Sequence, residues 1–244
     1  MIAENSSLDP IAGNYHLQDP LGDKHIEAAA QRYTFEWVFS HIPEGSRVLE
    51  MGTGEGLFTR ELLDRKINAE VVEGSSVLVE HLQKEFPQLT VHSKWFENFV
   101  PSTPYDVVLA GHVLEHIINP VELLKHMKSW LAPGGKIIVI VPNKKSLHRQ
   151  LAVKMGLQPA LDTLGMRDQQ VGHVRVYGMD TLKADLSSAG FKVSSITGFF
   201  LKVLPNSMMT GFSDSLLKAL NEISADLPPE WMANIGCIAE VEEL

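Results

Sequence analysis

Residues 47–56 read Arg47-Val48-Leu49-Glu50-Met51-Gly52-Thr53-Gly54-Glu55-Gly56, a short apolar run with an acidic residue inside it, then glycine at every second position. Val48, Leu49 and Met51 suit a buried strand. The glycines let the chain turn sharply and bring bare backbone against a ligand before a helix starts near Leu57. Strand, glycine loop and helix in that order are how a doubly wound α/β sheet makes a cofactor crevice at the carboxyl ends of its strands. The register of the loop separates cofactors. A dinucleotide fingerprint puts its third glycine where this chain has Leu57, so G-x-G-x-G stands in place of G-x-G-x-x-G.

Outward from that unit, helices and strands alternate. Ala29, Tyr33, Trp37 and Val38 recur at helical spacing between Ile26 and Ile42, and Pro43 ends that helix. After strand 47–51 the pattern predicts helix 57–66, strand 69–73, helix 76–86 and a short strand near 89–92. Strand 105–110, helix 121–131 and strand 136–141 follow, the last delivered by the turn Ala132-Pro133-Gly134-Gly135. Near-continuous apolar strands alternating with helices predict a parallel sheet covered on both faces. Beyond Pro142 the rhythm breaks. Residues 143–177 show no strand, and Leu147, Leu151 and Met155 on one helical face predict a helical lid above the sheet. Helix 179–189 with Gly190 as its stop, strand 191–198, a helix near 213–224 and a last strand over 233–241 complete the reading.

The chain has 244 residues, enough for one large α/β domain or two small ones, and its 44% hydrophobic and 21% charged content is ordinary for a globular protein. A net charge of −9 argues against a general binder of phosphate backbones. Cys237 is the only cysteine, which excludes an intrachain disulfide and fits a reducing compartment. The opening MIAENSSLDP lacks the basic start and apolar stretch of an export signal, and the longest apolar run, Ile137–Val141, is far short of a membrane span. The expectation is a cytoplasmic protein with neither nucleic acid nor membrane as partner, monomeric or homodimeric.

Four segments resemble, in order and spacing, the motifs of class I S-adenosylmethionine-dependent methyltransferases: VLEMGTGEGLFTREL from Val48, VVEGS from Val71, YDVVLAGHVLEHIINP from Tyr105 and LKHMKSWLAPGGKIIVIVPN from Leu124. The resemblance covers residues 35–143 closely. It implies a Rossmann-like, mostly parallel seven-stranded sheet with an antiparallel last strand and helical lid insertions. It also implies a single domain over 1–244: an N-terminal arm and helix (1–42), a cofactor-binding core (43–142), a lid insert (143–177) and the rest of the sheet (178–244) with an insert at 199–230.

The implied cofactor is S-adenosylmethionine. By the same resemblance, Gly52, Thr53, Gly54 and Gly56 let backbone approach its methionine and ribose. Glu73, followed by Gly74, would accept both ribose hydroxyls, although a nicotinamide enzyme would use a carboxylate there too. The plain alternative for Glu73 is a solvated strand end. Trp95, Phe96 and Glu97 stand where the family binds adenine, unless the two aromatics are ordinary core. Ala110, Gly111 and His112 would line the methyl-bearing centre. Glu50 replaces the aspartate common in the first motif and is expected to orient the loop through backbone hydrogen bonds.

His112-Val113-Leu114-Glu115-His116 also spells H-x-x-E-H, a zinc peptidase pattern. That site needs a further ligand, usually a distant glutamate, and none occurs between Glu122 and Glu222. Asn119-Pro120 also cuts short the helix the pattern requires, so no metal is expected.

On the acceptor side a base is needed only if the acceptor must lose a proton, and histidine suits that at neutral pH. His112 and His173 are the catalytic candidates, with His116 one turn beyond the first and more structural. Among ten histidines most must be structural. His173 and Arg175 share one parity in a locally extended stretch, with Tyr177 two residues on; Arg175 would suit an acidic acceptor. Lys144, Lys145, His148 and Arg149 read as the charged face of a solvated helix, Arg149 being the one substrate-binding candidate among them. Tyr15 and His16 either fold over the crevice or belong to a disordered end. The reading is methyl transfer to a hydroxyl or carboxyl oxygen of a small molecule, with nitrogen next, since no D/N-P-P-F/Y/W signature follows the fourth strand. A nicotinamide-dependent oxidoreductase and a non-catalytic cofactor-binding protein are the rival classes.

Overall fold

The computed structural model describes residues 9–19 and 22–242. Residues 1–8, which carry most of the export-signal reading, lie outside the described residues, as do Pro20 and Leu21 of the arm. The strands are β1 (Arg47–Met51), β2 (Asn68–Glu73), β3 (Thr90–Ser93), β4 (Tyr105–Gly111), β5 (Leu131–Pro142), β6 (Phe191–Phe199) and β7 (Asn234–Val241). They form one seven-stranded sheet in the order β3-β2-β1-β4-β5-β7-β6. The first five run parallel, and β7 lies antiparallel between β5 and β6. Strand order reverses at β1, which has β2 on one side and β4 on the other. A crevice opens at such a switch point.

Alternation of side chains across the sheet divides the core into two layers. Val107 and Leu109 of β4 join Val48, Ile138 and Ile140 on the face covered by Phe35, Val38 and Phe39 of the helix Lys24–Ser40. Val108 and Ala110 join Leu49, Met51 and Val139 on the opposite face, under Leu124 and Met127 of Pro120–Met127 and Leu182 and Leu186 of Met179–Ser188. Each fully buried Val, Leu or Ile contributes about 1.5–3 kcal/mol, so the sheet is a rigid base for the loops at its carboxyl edge.

Two expectations change in the second half. Ala132–Gly135 is an excursion inside β5, not a turn ahead of it: Leu131 already pairs with Tyr105, and Lys136 resumes the ladder opposite Val107. The lid is present as the helix Leu147–Lys154 and the short helix Met166–Gln170, but Leu151 and Met155 are solvent-exposed, at 37% and 59%. The buried residue of the helix Leu147–Lys154 is Arg149. No helix among the described residues is long and apolar enough to cross a membrane.

Candidate functional site

A cavity of about 590 Å³ opens at the carboxyl ends of β1, β2 and β4, roofed by the lid and the N-terminal arm. Its floor is the glycine loop. Gly52, Gly54 and Gly56 have φ of 60°, 52° and 80°, the left-handed region that side-chain-bearing residues rarely adopt. Gly52 and Gly54 line the cavity with Thr53. Gly56 does not: it starts the helix Leu57–Asp64 and faces Phe86, which a Cβ there would meet at 3.2 Å.

Glu73, at the end of β2, is buried and ties this floor together. Its Oε1 accepts the Ser75 amide at 2.7 Å and its Oε2 the Thr53 amide at 3.2 Å. Burial lifts its carboxyl above the usual range, while the amides of Ser75, Thr53 and Gly74 pull it back. Glu50, deeper and fully buried, is pushed up to about 8 by burial. Its oriented partner is the Thr59 hydroxyl, which donates to Oε2 at 2.7 Å, where backbone partners were expected. Trp95 lies against Gly74, whose absent Cβ would come within 3.2 Å of the indole, and Phe96 lines the same wall. Glu97 is turned away into a separate, smaller pocket beside Ile118 and His126. The floor thus offers backbone amides, a buried carboxylate and aromatic faces, a set that fits a ribose and a flat heterocycle.

The β4 end supplies the next wall. Ala110 is core and does not reach the cavity, whereas Gly111 and His112 line it. The closest neighbour of Gly111 is protein: a Cβ would meet Phe58 at 2.9 Å, so glycine there makes room for the Phe58 ring. His112 has φ 58°, a sparsely populated conformation, and its backbone N–H donates a hydrogen bond to the Ile140 carbonyl at 2.8 Å. Its Nδ1 lies 3.2 Å from Oε1 of the fully buried Glu115, and its Nε2 is buried with no partner among the described residues. Burial would raise the Glu115 carboxyl, but the hydrogen bond from His112 and the imidazoles of His116 and His173 hold it below its usual range.

The turn after β4 adds His116 and the lid adds His173, and their rings meet edge to face at 4.8 Å. Asp168 anchors this corner, with Oδ1 on His173 Nδ1 at 3.0 Å and Oδ2 on Arg149 Nη2 at 2.6 Å. Burial opposes the ionised form of Asp168, yet the His173 and Arg149 contacts drive its pKa far down. Arg149 is therefore a paired, buried group of the cavity wall, not part of a solvated face; His148 beside it is half-buried, and the desolvation of its ring lowers its pKa well below the ordinary imidazole value. Arg175 and Tyr177 do not line the cavity. Arg175 donates to the Ile118 carbonyl at 2.7 Å, and Tyr177 is core, its hydroxyl bonded to Asp185 at 2.9 Å.

The arm folds over the crevice. Asp9 accepts from the hydroxyls of Ser75 and Ser76 at 2.7 and 2.8 Å. The His16 ring covers Gly54, and burial lowers its pKa to about 4. Tyr15 hydrogen-bonds Glu27 and accepts from Arg167 at 2.6 Å, while Arg167 also pairs with the buried Asp23 at 2.7 Å. Arm, first helix and lid meet in that cluster. Sequence reasoning missed Arg167, Asp168 and Lys202. Lys202 lines the cavity with an ammonium that has no hydrogen bond or ion pair among the described residues, and burial lowers its pKa to about 8. These residues sit in segments without periodicity, so only charge type marked them.

Comparison with known proteins matches residues 23–196 to the model of a family described as a methyltransferase domain. A probable S-adenosylmethionine-dependent methyltransferase of Mycolicibacterium smegmatis is 26% identical over 162 residues, 66% of this chain and 58% of that protein. Malonyl-[acyl-carrier protein] O-methyltransferase 1 of Ilyobacter polytropus is 23% identical over 185 residues, 73% of this chain and 63% of that protein. The matches thus span less than two thirds of the length of the first curated relatives. Among solved structures, a Thermotoga maritima methyltransferase described as a possible histamine N-methyltransferase superposes with a TM-score of 0.64 at 18% identity, over 95% of this chain and 97% of that one. At that identity the likeness is one of fold.

Proposed function

Since this chain belongs to the methyltransferase-domain family, we propose that it methylates a hydroxyl oxygen of a small molecule that also carries an anionic group. S-adenosylmethionine, the cofactor, supplies a methyl group on an electrophilic sulfonium. The Gly52–Gly54 backbone would hold its methionine end, Glu73 its ribose, and Trp95 with Phe96 its adenine.

The observation that carries the choice of oxygen is the state of His112. A carboxylate only accepts, so the Nδ1 that faces Glu115 bears the proton and Nε2 keeps its lone pair. His112 lines the cavity, and its Nε2 is buried with no hydrogen-bond partner among the described residues to occupy that lone pair. It can take the hydroxyl proton as the acceptor oxygen attacks, and Glu115 then faces the imidazolium. A neutral amine or an ionised carboxylate needs no such base. Among the described residues, Lys202 is a cavity-lining cation without an ion-pair partner, which supports an anionic group on the acceptor. Holding both reactants aligned away from water supplies much of the remaining rate.

Release of S-adenosylhomocysteine from a panel of phenols, hydroxy acids and amines tests this. His112→Ala should lower turnover of hydroxyl acceptors by about 10²–10⁴-fold with cofactor affinity retained. Turnover confined to amines and indifferent to His112 would overturn the reading.

A further inference from the structure

Three side chains at the lid end of the cavity form a cluster of their own: Glu115, His116 and His173. One ligand atom from each lies within 4.8 Å of the other two. The histidine tautomers are set by what stands behind them. His116 Nδ1 faces the Gly172 carbonyl at 3.2 Å, and His173 Nδ1 faces the Asp168 carboxylate at 3.0 Å. Both partners only accept, so each Nδ1 carries the proton and each Nε2 keeps a lone pair. Glu115 is fully buried; its Oε1 is taken by His112, and its Oε2 has no hydrogen-bond partner among the described residues. A buried carboxylate oxygen without a partner is costly unless it meets a donor or a cation.

We propose that Glu115, His116 and His173 bind one divalent first-row transition-metal ion, with open coordination positions toward the acceptor. Two imidazoles and a carboxylate suit Zn²⁺, Co²⁺, Fe²⁺ or Mn²⁺, and three protein ligands leave room for water or an acceptor oxygen. The Gly172 carbonyl and the Asp168 carboxylate are the outer partners that ligating histidines require, and Arg149 holds Asp168 in turn at 2.6 Å. The H-x-x-E-H pattern argued against a metal because its two histidines needed one helical face and a distant glutamate. Here residues 114–116 form a single 3₁₀ turn, His112 is turned to Glu115, and the further ligand is a histidine returning from the lid. The acceptor-facing role rests on the methyl-transfer reading; cation binding does not.

The test uses the full chain, stripped with a chelator and titrated with Co²⁺ by visible absorption and with Zn²⁺ by calorimetry. Expected is a single equivalent of either ion. Asp168→Asn should weaken it by about 10–100-fold, and His116→Ala and His173→Ala by at least as much. S-adenosylhomocysteine affinity, measured on the same samples, should survive all three changes and so report an intact fold. Uptake of neither ion by the unaltered protein overturns the proposal, as does undiminished binding in the histidine variants. Loss of S-adenosylhomocysteine binding by the unaltered protein, with Co²⁺ still bound, would instead refute the cofactor assignment.

Discussion

Replacing Glu73 by glutamine probes the cofactor floor most directly. Its two carboxylate oxygens each accept a backbone N–H, from Ser75 at 2.7 Å and Thr53 at 3.2 Å. Glutamine offers one oxygen and one NH₂, so one of those amides would meet a donor. At 4% exposure, water cannot repair the mismatch. An unsatisfied buried N–H costs about 1–3 kcal/mol, and a ribose hydroxyl that loses a charged acceptor gives up a similar amount. Calorimetric titration with S-adenosylhomocysteine should therefore show affinity reduced by about 10–100-fold, with a lower unfolding midpoint. Glu50→Gln is the comparison. Its carboxyl, raised to about 8, is largely protonated at neutral pH, and glutamine keeps an acceptor for the Thr59 hydroxyl. Its affinity should stay within about threefold of the unaltered protein, roughly 0.6 kcal/mol. Equal losses in both variants, or none at Glu73, would refute the ribose contact.

Further outcomes follow from the same geometry. Because burial raises the folded-state pKa of Glu50 to about 8, its contribution to stability is complete below the ordinary carboxyl range and is lost as pH rises through that value. Denaturation between about pH 5 and 8 should show the unaltered protein losing up to about 1.4 kcal/mol per pH unit relative to Glu50→Gln; parallel profiles would contradict it. Gly54→Arg combines a φ of 52° with a Cβ only 3.1 Å from the His16 ring and should abolish cofactor binding; calorimetry showing unchanged affinity would displace the loop from the site. Arg149→Met leaves the Asp168 carboxylate without its ion-pair partner and should destabilise the fold by about 3 kcal/mol in chemical denaturation. An unchanged midpoint would make Arg149 a binding group alone.

The β1 strand, the glycine loop, Glu73 and the placement of His112 at the cavity wall could be read from the chain because each depends on neighbours a few residues away. Period-two and period-3.6 apolar patterns report burial directly when an element covers a hydrophobic core. The same rule failed at the lid. The helix Leu147–Lys154 packs over the charged corner made by Asp168 and His173, so its buried side carries Arg149, while Leu151, and Met155 just past its end, face solvent. Parity failed next to it for a related reason. His173, Arg175 and Tyr177 alternate in sequence, but the stretch belongs to no named strand and makes just an isolated bridge, Tyr177 with Asn143, among the described residues, so the three side chains go to the cavity, the Ile118 carbonyl and the core. The pairings Arg149–Asp168–His173, Arg167–Asp23 and Glu115–His116–His173 join segments that no local pattern connects. Charges like these are placed only when the lid and arm close over the cavity, and a buried ion is stabilised by a partner from whichever segment folds beside it.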